Sequence, residues 1–194
     1  MLQASPTDGR VIAEIPRGEK RVLPSSVEAL HEWHDFYVAI GTASMTLLGA
    51  MFVVASIGGR LMTQERAGEI RLFVTPTVIH LSAAVLGSAL TMVPSLQVAS
   101  LGILFGVGGA AGLVYSSIRA IQIHRRHQLE LSDRFWYAAV PIVAYATMIA
   151  AAAMALLAAA RALEVLAISI VLLIVAGIRN AWDLLLFIVG RPGV

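Results

Sequence analysis

Arg179 and Asp183 stand four residues apart in the stretch Gly177 to Val189, which is otherwise almost wholly apolar. On a helix, residues i and i+4 lie on one face, so the two can form an ion pair. His80, Tyr115, Ser116, Tyr145 and Asn180 are further polar side chains set in or beside long apolar runs. Inside a bilayer such groups are costly and turn toward protein or water, where they either tie helices together or handle ions and protons. Catalysis asks for more than this. The chain has no GxSxG, no HExxH, no Walker loop and no GxGxxG between a strand and a helix, so an enzyme is not expected. With no cysteine, disulfides, thiol nucleophiles and iron–sulfur ligation are excluded.

Metal binding is weighed on two spacings. Glu28, His31 and Asp35 fall at i, i+3 and i+7, and His124 with His127 repeats an i, i+3 spacing in a basic loop. The two sets belong to opposite ends of the helices that separate them and cannot share an ion. A solvated helix face is the favoured reading of both, so neither metal nor cofactor is expected.

The elements that must position these groups follow from composition. Hydrophobic residues make up 58% of the chain and charged residues 13%. The mean hydropathy is +0.82. A soluble domain of 194 residues cannot hide that much apolar surface. The charges are also segregated: Phe36 to Gly59, Leu72 to Ile118 and Phe135 to Ala160 contain no Asp, Glu, Lys or Arg. About 20 apolar residues cross a hydrocarbon core of about 30 Å, so these runs are long enough to span. The expected fold is all-α, a polytopic bundle of about five transmembrane helices with the lipid bilayer as its main partner. The sequence pI of about 9.4 reflects Arg and Lys flanking apolar spans, and no nucleic-acid partner is expected.

Along the chain, residues 1–24 read as a polar, loosely ordered tail without a visible cleavable signal peptide. Residues 25–194 read as the helical membrane domain. Pro24-Ser25-Ser26 starts a helix, with Ser25 and Glu28 spaced as a capping box. Val27, Leu30, Trp33 and Tyr37 fall on one side of it and Glu28, His31, Glu32 and Asp35 on the other, as in a segment lying at an interface. Spans are expected over about 36–57, 75–93, 98–118, 136–160 and 163–189. Thr75-Pro76 reads as the start of the second, because proline fits a first turn where its missing N–H leaves nothing unsatisfied. Pro141 reads as a kink in the fourth. The fifth could instead be a shorter helix followed by a separate surface helix.

Arg60, Arg66 and Arg71 flank one connection and Arg119, Arg125, Arg126 and Arg134 another, both on the same side. By the positive-inside rule that side is cytoplasmic, which puts the N-terminus outside and the C-terminus inside. Entering at Leu163, the fifth helix reaches Arg179 after about 24 Å at about 1.5 Å per residue, close to the cytoplasmic boundary. His80, four residues past Pro76, and Tyr115 and Ser116, at the end of the third span, share that leaflet. Tyr145 lies about 13 Å into the fourth helix from Trp136. The seven side chains thus gather at similar depth. The bland reading is a snorkelling arginine with a local partner, a satisfied histidine and Trp182 as an interfacial anchor. The sharper one is an intramembrane polar cluster for transport. His80, Ala84, Gly87, Ser88 and Thr91 form one polar-to-small helix face, which turns His80 toward protein.

The opposite leaflet is lined by alanine in MIAAAAMALLAAA and by glycine in the third span. Gly102 with Gly106 and Gly108 with Gly112 are GxxxG spacings, which allow close helix contact either within the chain or between subunits of a homo-oligomer.

Residues 32 to 57, EWHDFYVAIGTASMTLLGAMFVVASI, together with GIRNAWDLLLF, resemble a group of small, uncharacterised, multi-pass bacterial inner-membrane proteins. They share a Trp-acid-aromatic start, a Gly/Ala-rich first helix and an Arg-Asn-Ala-Trp-Asp segment near the C-terminus. The resemblance implies a bacterial inner-membrane location. Some similar sequences are described as modulators of a membrane protease, although no residue here carries that activity. Two functions are therefore expected: an oligomeric channel or transport subunit first, and second a non-catalytic regulator or assembly partner of another membrane protein.

The arginine distribution generates a test of orientation. Single cysteines at Thr63 and Gln128 are expected to resist an impermeant thiol reagent applied to intact cells, and one at Thr7 to react. Labelling of either loop from outside reverses the assignment.

Overall fold

The computed structural model describes residues 30–60, 64–125, 135–159 and 161–189. These form five long helices: α1 (His34–Arg60), α2 (Gln64–Thr91), α3 (Val98–Arg125), α4, and α5 (Ala162–Val189). α4 opens with a π-helical turn, Phe135–Ala139, and continues as an α-helix over Val140–Leu156. No strand occurs among the described residues. Each helix contains a stretch long and apolar enough to cross a membrane: His34–Ile57, Val74–Thr91, Val98–Gln122, Phe135–Leu156 and Ala162–Leu186. This is the architecture of a multi-pass membrane protein.

Boundaries moved where local signals competed with helix continuity. The apolar span does start near Thr75-Pro76, at Val74, but the helix does not, since α2 begins at Gln64 and carries Pro76 inside it. The upstream residues Gln64 to Phe73 are rich in helix formers, and in a membrane bundle neighbouring groups compensate for the N–H that an internal proline lacks. α3 likewise runs past Ile118 to Arg125. α5 is one continuous helix over Ala162–Val189, so these residues do not divide into a shorter helix and a separate surface helix. Pro141 sits in the first turn of the regular part of α4, directly after the π-helical turn, which is where the irregularity lies. Ser25 and its capping box lie outside the described residues. Leu30 to Glu32 form a helical turn that passes through Trp33 into α1, with Tyr37 N–H on the Trp33 carbonyl at 3.1 Å.

Packing order differs from chain order. α1 lies on α2, α2 on α5, α5 on α4 and α4 on α3, whereas α2 and α3 meet only sparsely despite their short connection. α5 is thus central. The face bearing the basic connections is called the basic face below, and the one bearing the α2–α3 and α4–α5 turns the short-loop face. At the latter, Ala158 takes a left-handed φ of 53° and Ala159 N–H returns to the Met154 carbonyl at 2.8 Å. That closing turn usually carries glycine.

The core runs along α4 and α5, with Ala144, Met148, Ala151 and Ala152 against Leu166, Ala167, Ile170 and Leu173. Alanine on α4 keeps the helices close, because packing within lipid rests on intimate contact rather than on escape from water. Glycine does the same on α3. A Cβ at Gly102 would stand 3.0 Å from the Ala152 carbonyl oxygen, one at Gly109 2.9 Å from Ile149, and one at Gly112 would fall inside the Tyr145 ring. Gly106 lies farther back, 3.7 Å from Ala152, and Gly108 has open space. The contact face therefore follows Gly102, Gly109 and Gly112 within the chain.

Overpacking a closed core costs about 1–3 kcal/mol. Gly112→Ala is expected to lower stability in detergent by at least that much, and Gly108→Ala to leave it unchanged or slightly raised. Thermal unfolding of the two variants checks the contrast, and an equal response of both overturns this packing.

Candidate functional site

Two polar tiers occupy the basic half of the bundle. The outer tier is built around Asp183 on α5. Its Oδ1 accepts from Arg179 at 2.6 Å, one helical turn back, and its Oδ2 accepts from the Tyr137 hydroxyl at 2.5 Å. Tyr137 belongs to the π-helical turn of α4. A local i, i+4 pair thus becomes a link between two helices. The side chains of Arg179 and Asp183 are 32% and 19% exposed, so the pair is partly sheltered, and Trp182 beside it is exposed. Both carboxylate oxygens are engaged by charged or phenolic donors, an arrangement that holds the charge in place.

The inner tier is His80, Tyr145 and Tyr115. His80 Nδ1 and the Tyr145 hydroxyl lie 3.0 Å apart, a hydrogen bond whose donor is set by the imidazole tautomer. His80 is 2% exposed and Tyr145 1%. Tyr145 reaches His80 because Gly112 on α3 leaves room for its ring. The Tyr115 ring meets the His80 ring edge-on, with centroids 6.4 Å apart. Its hydroxyl is buried without a hydrogen-bond partner among the described residues, as are the Ser116 hydroxyl and the Asn180 side-chain oxygen. Asn180 follows Gly177 by three residues and precedes Leu184 by four, on the stripe of α5 that faces Leu81 of α2.

The structure therefore brings together His80, Tyr115 and Tyr145 in one group and Arg179 and Asp183 in another, while Ser116 and Asn180 are buried on α3 and α5 without a bond to either. The supposed polar stripe of α2 divides. Gly87 meets Ile170 of α5 and Phe105 of α3, but Ser88 turns to Gly41 of α1. Toward the short-loop face the inner tier is closed by Ala84, Phe105, Met148 and Ile170, all buried in one apolar cluster. At the level of Tyr145, Ser169 donates to the Ala144 carbonyl at 2.8 Å, and near the short-loop face Tyr37 donates to the Leu163 carbonyl at 2.9 Å.

Nothing in the sequence marks Tyr137 or Ser169 as a site, and Tyr37 reads there only as one residue of an apolar helix side. Their spacing within one helix says nothing of a partner on another. Glu28, His124 and His127, from the two metal-competent spacings, lie where side chains are not described.

Comparison with protein-family models, with curated proteins and with solved structures finds no match.

The triad at Asp183 separates a sheltered pair from a solvated one. Asp183→Asn strands the Arg179 charge and one Tyr137 donor preference, and is expected to cost about 1–3 kcal/mol. The double change Arg179→Gln with Asp183→Asn is expected to cost less than Asp183→Asn alone. Thermal stability of both singles and the double gives the coupling, and strict additivity overturns the sheltered reading.

Proposed function

We propose that this chain is a non-catalytic multi-pass protein of the bacterial inner membrane, acting as a regulator or assembly partner of another membrane protein. The observation that supports this best is the apolar closure of the inner tier. Ala84, Phe105, Met148 and Ile170 lie between His80–Tyr145 and the short-loop face, so the polar groups do not line up across the bundle. A conduit needs polar lining or a wettable constriction along its whole length. The polar side chains on the outer face of α1 fit the same reading, because Thr42, Thr46 and Ser56 each donate to their own helix four residues back. They need no water-filled path.

A channel or transport subunit, built as a homo-oligomer, is the second reading. Intramembrane His80, Arg179 and Asp183 favour it, since ionisable groups at such positions commonly serve ion or proton pathways. In either case the arginine count supports an N-terminus outside and a C-terminus in the cytoplasm.

Purified protein reconstituted in liposomes is expected to show no flux above protein-free vesicles under proton, sodium, potassium or chloride gradients. A photo-crosslinking side chain at exposed Phe52 or Val107 is expected to give a discrete adduct with a different membrane protein in native membranes. Flux that disappears in His80→Phe or Asp183→Asn reverses the ranking, and adducts only between copies of this chain remove the partner reading.

A further inference from the structure

α1 lies at the edge of the bundle, packed on α2 and only lightly on α5. Of its most apolar stretch 11% is buried, against 56% in α5. Along the outward side Glu32, Asp35, Ala39, Thr42, Thr46 and Gly49 follow one another at alternating three- and four-residue steps, all exposed. Such steps form the seam along which two helices pack at a shallow crossing angle. The same steps on the exposed side of α5 read Ile168, Val171, Val175 and Ile178, the large aliphatic lining that acyl chains cover. A Cβ at Gly49 would meet nothing within 4 Å, so no contact inside the chain calls for a glycine there. Mid-helix glycine is otherwise unfavourable. The Thr42 and Thr46 hydroxyls bond to their own helix and need no water. Glu32 and Asp35 end the seam at the short-loop face, and neither has an ion pair among the described residues.

We propose that this side of α1 is the docking surface for one transmembrane helix of a different membrane protein, a helix that carries lysine or arginine at its short-loop end. The proposal deepens the regulator reading above and rests on it. Small side chains along the seam let a second backbone come close, which is how helices associate inside lipid. Val38, Met45 and Phe52, exposed at seven-residue steps, wall the seam on one flank. The two exposed carboxylates choose the partner. A second copy of this chain, related by a two-fold axis along the membrane normal, would set Glu32 and Asp35 against their own likes. Like charges across an interface reject a partner, whereas a basic residue at that level pairs with both.

The surface is tested in native membranes with the full-length chain carrying a photo-crosslinking side chain at Ala39, at Thr46 or, for reference, at Val175 on α5. Ala39 and Thr46 are expected to give the same adduct and Val175 none. The cross-linked peptide is expected to lie in an apolar span of another protein, with Lys or Arg at the end level with Glu32. Adduct yield is expected to fall roughly fivefold in Gly49→Leu, and by a similar factor when Glu32→Lys is combined with Asp35→Lys. All three positions are exposed, so the thermal midpoint of the purified variants is expected to match the wild type. Changing the mapped Lys or Arg of the partner to Glu is expected to restore the adduct of the Glu32→Lys, Asp35→Lys chain, a rescue that a folding defect cannot give. An adduct indifferent to the charge reversal, a reversal without rescue, or adducts at Thr46 only between copies of this chain overturn the proposal. A heterologous adduct from Val175 but not from α1 overturns this surface and leaves the regulator reading standing, whereas none from either helix removes both.

Discussion

The position of Tyr145 constrains more of this bundle than any other side chain. Its ring lies where Gly112 has no Cβ, and its hydroxyl meets His80 on a helix that α4 does not otherwise pack against closely. One residue therefore sets the α3–α4 distance and the rotation of α2 at once. A hydrogen bond between buried neutral groups contributes modestly by itself, but leaving His80 unpaired in an apolar interior is expensive. The Ala144 carbonyl one residue before Tyr145 takes the Ser169 hydroxyl, which fastens the same turn of α4 to α5. From there the alanines of α4 continue the close approach toward the short-loop face.

How much of this could be read beforehand depends on whether the cause is local. Four spans follow from runs without charge, the fifth from a long apolar stretch around few charges, and the Arg179–Asp183 pair from helical spacing, because each is a property of one segment. The inward turn of His80 could be anticipated from the small residues that follow it on its face. Pro76 misled, since Thr-Pro signals a helix start only where the preceding residues are not themselves helical. The glycine register was also hidden: Gly102, Gly109 and Gly112 share the α4 side, while the GxxxG spacing of Gly108 with Gly112 does not. Which glycines matter depends on where α4 supplies Tyr145, Ile149 and Ala152. Tyr137 is a similar case, since its bond to Asp183 arises from the π-helical turn that no apolar pattern encodes.

The two polar tiers differ in what they ask of their surroundings. At Asp183 both carboxylate oxygens have a donor, so the charge is held without further help. At Tyr115 the geometry is reversed, with rings packed and a hydroxyl left over. A fold that satisfied both tiers equally would give no reason to look beyond structural roles.

The centrality of α5 has a consequence for the order in which the protein is made. Synthesis runs from the N-terminus, so α1 to α4 are in place before the helix that both α2 and α4 pack against has left the ribosome. Until then the Ala144 carbonyl lacks Ser169, Tyr137 lacks Asp183, and the Tyr37 hydroxyl lacks the Leu163 carbonyl. The four-helix intermediate is therefore a loose assembly with its polar groups unsettled, and the last helix acts as the bolt that closes it. A chain truncated before α5 would present the cell with two helix pairs, α1–α2 and α3–α4, and without the helix that joins them.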